Sequence, residues 1–201
     1  MLNLHFAFTG HDISEHQQND FQGNESGLER ASEFTTEKLC FYSVRASDMN
    51  FLKTLINDDE IHEYSSEPIH SLGIEMWINE ISSEVKFADA EFWIVSDMSK
   101  GILIGQMGVL RLIFEDGPRH CIVFMFAPDQ WNQSWAAEAL CGCAQYCFEK
   151  LKLTELCVAL KPDDHRFRRL IQRADLKDRG QVIFQGSGMQ LFGFERVAAV
   201  L

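Results

Sequence analysis

The run from Cys121 to Lys150, CIVFMFAPDQWNQSWAAEALCGCAQYCFEK, constrains the fold more than any other part of the chain. It opens with CIVFMFA, an unbroken apolar stretch of the kind buried on both faces of a sheet. Pro128 has no N–H to give to a ladder, so it ends the strand and starts a turn. From Ala136 onward the apolar residues Ala136, Ala139, Leu140, Cys143, Cys147 and Leu151 recur at helical spacing. Between them lie Trp131, Asn132, Gln133, Ser134 and Trp135. A strand that passes through a short polar turn into a long helix aims several backbone N–H groups, and the positive end of the helix dipole, at one spot. Such a junction binds phosphate.

This stretch resembles the cofactor-binding segment of the GNAT acetyltransferases, in particular the branch that acetylates ribosomal-protein N-termini. There the strand is followed by A-P-E-x-W-G-x-G-Y-A-T-E-A-L. Here the matching run is Ala127, Pro128, Asp129, Gln130, Trp131, Asn132, Gln133, Ser134, Trp135, Ala136, Ala137, Glu138, Ala139 and Leu140. Asn132 and Ser134 stand where the family has glycines that let backbone N–H groups approach the coenzyme A pyrophosphate. A Cβ narrows that approach, and any position needing positive φ becomes costly. The resemblance implies acetyl-CoA as co-substrate, held by Phe124, Phe126, Ala127, Trp131, Asn132, Gln133, Ser134, Trp135 and Ala136.

The rest of the chain supplies elements in a matching order. Thr36–Arg45 reads as a first strand, similar to the T-E-R-L-x-L-R-x opening of that branch. Ser47 or Asp48 caps a helix with the stripe Met49, Leu52, Leu55 and Ile56. A polar loop and a second helix near 71–86 follow. In the family this helix–loop–helix walls the acceptor pocket, which makes Glu60, His62, Glu63 and Tyr64 candidates for touching substrate. A charged loop residue is also commonly just solvated. Phe92–Val95 and Ile102–Phe114 read as strands, and Glu115–Pro118 turns the second antiparallel into CIVFMFA. ILIGQMGV resembles the family strand that faces cofactor and acceptor. Glu155–Leu160 is a further buried strand, then a helix with Phe167, Leu170, Ile171 and Ala174 on one face. Two final strands, Gln181–Gln185 and Met189–Arg196, meet at Gly186-Ser187-Gly188. The order β-α-α-β-β-β-α-β-α-β-β is that of the family. It implies an α+β fold in α/β/α layers, with a mixed, mostly antiparallel central sheet flanked by helices.

A second motif carries the resemblance further. The family form H-P-x-N-x-x-S-x-R-x-L-E-K-x-G-F matches Lys161 to Leu176 at Pro162, Arg169, Ile171 and Arg173. Asp164 replaces the Asn that holds the pantetheine arm. Phe167 replaces the Ser whose hydroxyl often protonates the leaving thiolate; Phe donates no proton and fits equally as a member of the helix stripe. The implied reaction is direct attack of a primary amine (a peptide N-terminus, a polyamine or a small-molecule amine) on an acetyl thioester. It needs a deprotonated amine, a donor to the carbonyl oxygen and a protonated leaving sulfur. A backbone N–H near Phe126 or Ala127 is the family-like donor, and Glu60, His62 and Glu63 are the candidate general bases, among which spacing does not choose. The departures at Asn132, Ser134, Asp164, Phe167 and Asp175 keep a second reading in view: a GNAT-fold binding or regulatory protein without catalysis. Arg166, Arg168, Arg169, Arg173, Lys177 and Arg179 form a basic cluster that either meets the 3′-phosphate of coenzyme A or an acidic partner, or is a solvated helix face.

Composition excludes several alternatives. A net charge of −12 argues against a nucleic-acid partner and is compatible with a cationic amine. No apolar run approaches the ~20 residues of a membrane span, and LHFAF is too short for a signal-peptide core, so a cytoplasmic protein is expected. The six cysteines include no CxxC pair, and Cys143 and Cys147 act as small hydrophobes on a helix face, so no metal is expected. Residues 1–33 read as a polar tail, its His5, His11 and His16 too loosely spaced for a metal tract, and 34–201 as a single domain. The resemblance also admits a homodimer.

Overall fold

The computed structural model describes residues 30–56, 90–131, 133–162 and 167–195. Glu60, His62, Glu63, Tyr64, the second helix near 71–86, Asn132, Asp163, Asp164, Arg166 and the first 29 residues lie outside the described residues. Eight strands form one sheet: β1 (Phe34–Thr35), β2 (Leu39–Ser43), β3 (Ala90–Asp97), β4 (Leu103–Phe114), β5 (Gly117–Phe126), β6 (Cys157–Leu160), β7 (Lys177–Phe184) and β8 (Ser187–Gly193). Their order across the sheet is β1-β2-β3-β4-β5-β6-β8-β7. Every described pairing is antiparallel except β5 with β6.

Alternation sorts the side chains onto two faces. Phe41, Trp93, Met107, Val109, Phe124 and Phe126 pack with α2 (Gln133–Glu149) and α3 (Arg168–Arg173). Leu110, Leu112, Cys121, Val123 and Met125 point the other way, toward Leu55 and Ile56 of α1 (Met49–Ile56). The sheet is thus covered on both sides, which is why β5 is apolar at consecutive positions from Cys121 to Phe126. The helical stripe of α2 is buried as its spacing predicts: Ala136, Ala139, Leu140, Cys143 and Cys147 are all at most 1% exposed.

Several local details differ from the sequence reading. The first strand is preceded by a two-residue edge strand that folds back on it, Phe34 opposite Phe41. Glu138 of α2 pins that hairpin, accepting from the Thr36 hydroxyl at 2.5 Å and the Lys38 N–H at 2.7 Å. Asp48 does not cap its helix from the front. It reaches back, accepting from the Arg45 N–H at 2.7 Å, and takes a two-pronged contact from Arg30 at 2.8 Å. Arg30 and Glu33, which accepts from Ser43 Oγ at 2.7 Å, are therefore tied to the packed unit. The last hairpin turns at Gln185-Gly186, not Gly186-Ser187-Gly188: Phe184 faces Ser187, and both turn residues have positive φ, 49° and 78°. That is the geometry of a two-residue hairpin turn that follows the strand twist. β7 also begins earlier than predicted, at Lys177.

Candidate functional site

The site follows from how β5 and β6 part. Among the described residues one register pair, Cys121 opposite Cys157, joins these parallel strands. Among the described residues no further register pair joins them, so toward its C-terminal end β5 is laddered to β4 and not to β6. Which backbone groups face the opening can be worked out. The Ala127 N–H donates to Ile104 O at 2.9 Å, so Ala127 turns its polar groups toward β4. The alternation of an antiparallel ladder then turns the N–H of Phe126, opposite Gly105, away from β4 and into the opening. Of the two backbone donors that sequence reasoning offered, the Ala127 N–H is taken by Ile104 O, and the Phe126 N–H points away from β4.

The side chains of this region do something else. Phe124, Phe126 and Phe167 are 0, 3 and 2% exposed. Phe167 stands edge-on to Phe124 with centroids 5.8 Å apart and edge-on to Trp131 at 6.1 Å, while Trp131 meets Phe126 at 5.6 Å. These four rings pack against one another on the α2 face of the sheet. Phe167, placed among the cofactor contacts by resemblance, is a buried core residue immediately before α3.

Downstream, the Gln130 and Trp131 N–H groups close a 3-10 turn on Ala127 O (3.0 Å) and Pro128 O (3.2 Å). The first turn of α2, at Gln133, Ser134 and Trp135, carries the N–H groups that no carbonyl of the helix itself can reach. Two cations attend this 17-residue helix at its positive end. Arg173, in the last turn of α3, donates from Nη1 to Ser134 Oγ. Lys100 lies over the Trp135 ring, its Nζ 5.6 Å from the centroid. Lys100 is presented by a turn that Asp97 fixes, accepting at Oδ1 from Ser99 N–H at 2.8 Å and Ser99 Oγ at 2.7 Å. The Ser99 hydroxyl, foremost among these contacts, holds the Asp97 carboxyl below its usual value.

Of the basic cluster singled out in the sequence, Arg173 is brought to this mouth. Lys177 pairs with Asp175 at 2.6 Å, and Arg179 lies against Gly193 near the far end of the β5–β6 seam. That far end holds a pocket of about 630 Å³ lined by Arg119, His120, Glu155, Cys157, Arg179 and Glu195 among others. It lies at the N-terminal ends of β5 and β6, on the opposite side of the Cys121–Cys157 pair from the mouth. Among the described residues no three His, Cys, Asp or Glu side chains are grouped to hold a metal. Nor is any helix among them long and apolar enough to cross a membrane.

A parted pair of parallel strands leading to a helix N-terminus is the architecture the sequence motif implied. Residues 38–177 match the family profile described as Acetyltransferase (GNAT) domain, more than half of the 201-residue chain. The chain belongs to the GNAT acetyltransferase family. The Bacillus subtilis (strain 168) protein YkkB is 24% identical over 119 residues, 59% of this chain and 69% of YkkB. The spermidine N-acetyltransferase of Vibrio cholerae, solved in complex with CoA and spermine, superposes with a TM-score of 0.60 at 14% identity, over 78% of this chain and 95% of that one. RimL, the ribosomal L7/L12 alpha-N-protein acetyltransferase solved with coenzyme A, gives 0.60 at 9% identity, over 79% and 94%. At these identities the likeness is one of fold, and it bears out the α+β layering with a mixed, mostly antiparallel sheet.

Proposed function

We propose that this chain is an acetyl-CoA-dependent N-acetyltransferase that acts on a primary amine by direct attack. The observation that carries the reading is the opening between β5 and β6, which runs from the Phe126 N–H to the first turn of α2 with Arg173 and Lys100 beside it. Acetyl-CoA, when bound, supplies an electrophilic acyl carbon and a thiolate leaving group. Its diphosphate suits the N–H groups of Gln133, Ser134 and Trp135 together with the Arg173 guanidinium. The Phe126 N–H polarises the acyl oxygen. Asn132 and Asp164 complete the proposed contacts by resemblance. As the new N–C bond forms and the C–S bond breaks, the amine loses a proton and the sulfur gains one. Glu60, His62 and Glu63 remain the proposed bases. Phe167 offers no proton, so the sulfur takes its proton from solvent, which positioning of the two substrates tolerates.

Spermidine and a ribosomal-protein N-terminus, the acceptors named for two structural relatives, are both amines and both belong in the test panel. Free cysteines are in keeping with a cytoplasmic setting. Thiol release from acetyl-CoA in the presence of a peptide, spermidine or an arylalkylamine tests the reading. Acceptor-dependent release supports it. The second reading, a binding protein without catalysis, is favoured by the burial of Phe167 where a hydroxyl donor stands in the family. Coenzyme A binding without release toward any amine would establish it.

A further inference from the structure

Cys121 and Cys157 form the register pair that joins β5 to β6. Their sulfurs lie 2.9 Å apart, and Cys157 Sγ also donates to His120 O at 3.4 Å. Neither thiol takes part in the chemistry proposed for the mouth. The placement suits a covalent link. Parallel neighbours run about 4.8 Å apart, inside the Cα separation of about 4.4–6.8 Å that a disulfide spans. Both side chains also stand on the α1 face of the sheet.

One member of the pair is within reach of a small molecule. Cys121 is fully buried, whereas Cys157, 6% exposed, is in the wall of the pocket of about 630 Å³ at the N-terminal ends of the two strands. Two guanidinium groups flank it there. Arg119 is held by both oxygens of Asp116, at 2.6 and 2.7 Å, and lies over the Phe114 ring at 5.6 Å. Arg179 lies across Gly193, the ladder partner of Cys157 on β8, where a Cβ would come within 2.7 Å of the Arg179 Nε. Asp116 above all, with the two thiols adding less, pushes the Arg119 guanidinium above its ordinary value, so its charge is felt at both sulfurs. Positive charge beside a partly accessible thiol favours the thiolate, which is the reactive form. A role as small hydrophobes accounts for Cys143 and Cys147, which neighbour each other in the core side of α2 with no exposure. It does not account for a thiol in the wall of a polar pocket between two arginines.

We propose that Cys157 and Cys121 form a dithiol site that a small hydroperoxide oxidises to a disulfide, with the pocket as its route of entry. The inference stands apart from the acetyl-transfer reading. Glu155 and Glu195 line the pocket together with the two arginines, so a neutral oxidant suits it better than an anionic one. The Cys157 thiolate attacks one peroxide oxygen. An S–O bond forms, the O–O bond breaks, and the departing hydroxide or alkoxide takes a proton and leaves as water or an alcohol. Cys157 is then a sulfenic acid. The Cys121 sulfur attacks the sulfenic sulfur, the S–S bond forms, and the hydroxyl leaves with the Cys121 proton as water. The two thiols together lose two electrons and two protons, and the peroxide gains them. The two roles do not exchange. Burial first, and the adjacent Cys157 thiol after it, push the Cys121 thiol well above its ordinary value, so Cys121 completes the reaction and does not start it. The new bond ties β6 to β5 at the one register pair that the described residues show between them.

The test treats the reduced, full-length chain with hydrogen peroxide, unfolds it, alkylates the remaining thiols and maps the peptides by mass spectrometry. The expected product is a link between Cys121 and Cys157 that dithiothreitol reverses, formed while Cys143 and Cys147 still take the alkylating agent. Cys121→Ala should leave Cys157 as a sulfenic acid that dimedone captures, and Cys157→Ala should leave Cys121 unoxidised. Arg119→Gln should slow formation of the link about tenfold. If a variant fails to fold, the peptide map of the parent chain decides the matter by itself. An unmodified Cys157 at a peroxide concentration that oxidises the exposed Cys141 would overturn the proposal. So would any oxidised form of Cys157 in the parent chain that is not joined to Cys121, or a Cys143–Cys147 link that forms as fast.

Discussion

Replacing Phe167 with alanine tests whether the opening is a groove lined by this ring or a wedge packed by it. The ring is 2% exposed and stands edge-on to Phe124 and Trp131 at 5.8 and 6.1 Å. An aromatic side chain buries about 150–200 Å², which at about 25 cal/mol per Å² comes to roughly 4–5 kcal/mol. Measured Phe-to-Ala changes in cores span about 3–5 kcal/mol, so about 4 kcal/mol is the expected loss. For a chain of this size that lowers the melting midpoint by about 8–16 °C. Urea unfolding followed by tryptophan fluorescence measures the loss directly, with Trp131 next to the change as reporter. Phe167→Leu, which keeps most of the volume, should cost under about 1.5 kcal/mol. A loss below about 1 kcal/mol for Phe167→Ala would mean that the ring is not part of the core, and that it lines the cofactor path after all.

Two further predictions concern the anion site and the buried thiols. Arg173→Gln should weaken coenzyme A binding about tenfold (about 1.4 kcal/mol), with an unchanged melting midpoint, because the side chain is exposed and its loss removes a charge-assisted contact more than packing; titration at two salt concentrations checks it, since the parent alone should show strong salt dependence. Burial pushes the Cys121 and Cys143 thiols well above their ordinary value of 9.0, so their contribution to stability is complete below that value and is lost as pH rises above it, where the unfolded chain ionises first. The unfolding free energy from urea titration should hold to about pH 8 and fall beyond about pH 9, by at most about 1.4 kcal/mol per pH unit for each thiol, and Cys143→Ala should flatten that fall.

What could be read from the sequence divides along physical lines. The buried strand, the long helix after it and the element order were legible because burial on both faces leaves a run of apolar residues, and a helix face repeats at a fixed period. The last turn was not legible, because glutamine takes positive φ reluctantly, and Gly186-Ser187-Gly188 looked the more willing turn. β1 is two residues long, and the pairing of Asp48 with Arg30 joins residues 18 apart in the chain, so neither has a local signature. The site shows the same division. The strand-to-helix mouth was visible, but the choice between the Phe126 and Ala127 N–H groups is a matter of register, which pairing with β4 decides. Arg173 stood among several equivalent basic residues until α3 packed against α2.

The central claim is that backbone amides at the head of α2, aided by Arg173, hold the diphosphate of coenzyme A although Ser134 and Asn132 stand where the family has glycines. Calorimetric titration of the full-length protein with acetyl-CoA tests it most directly. Saturable one-to-one binding in the micromolar range, weakened by Arg173→Gln, is the predicted result. Absence of heat at millimolar acetyl-CoA would contradict it and leave the fold without its proposed chemistry.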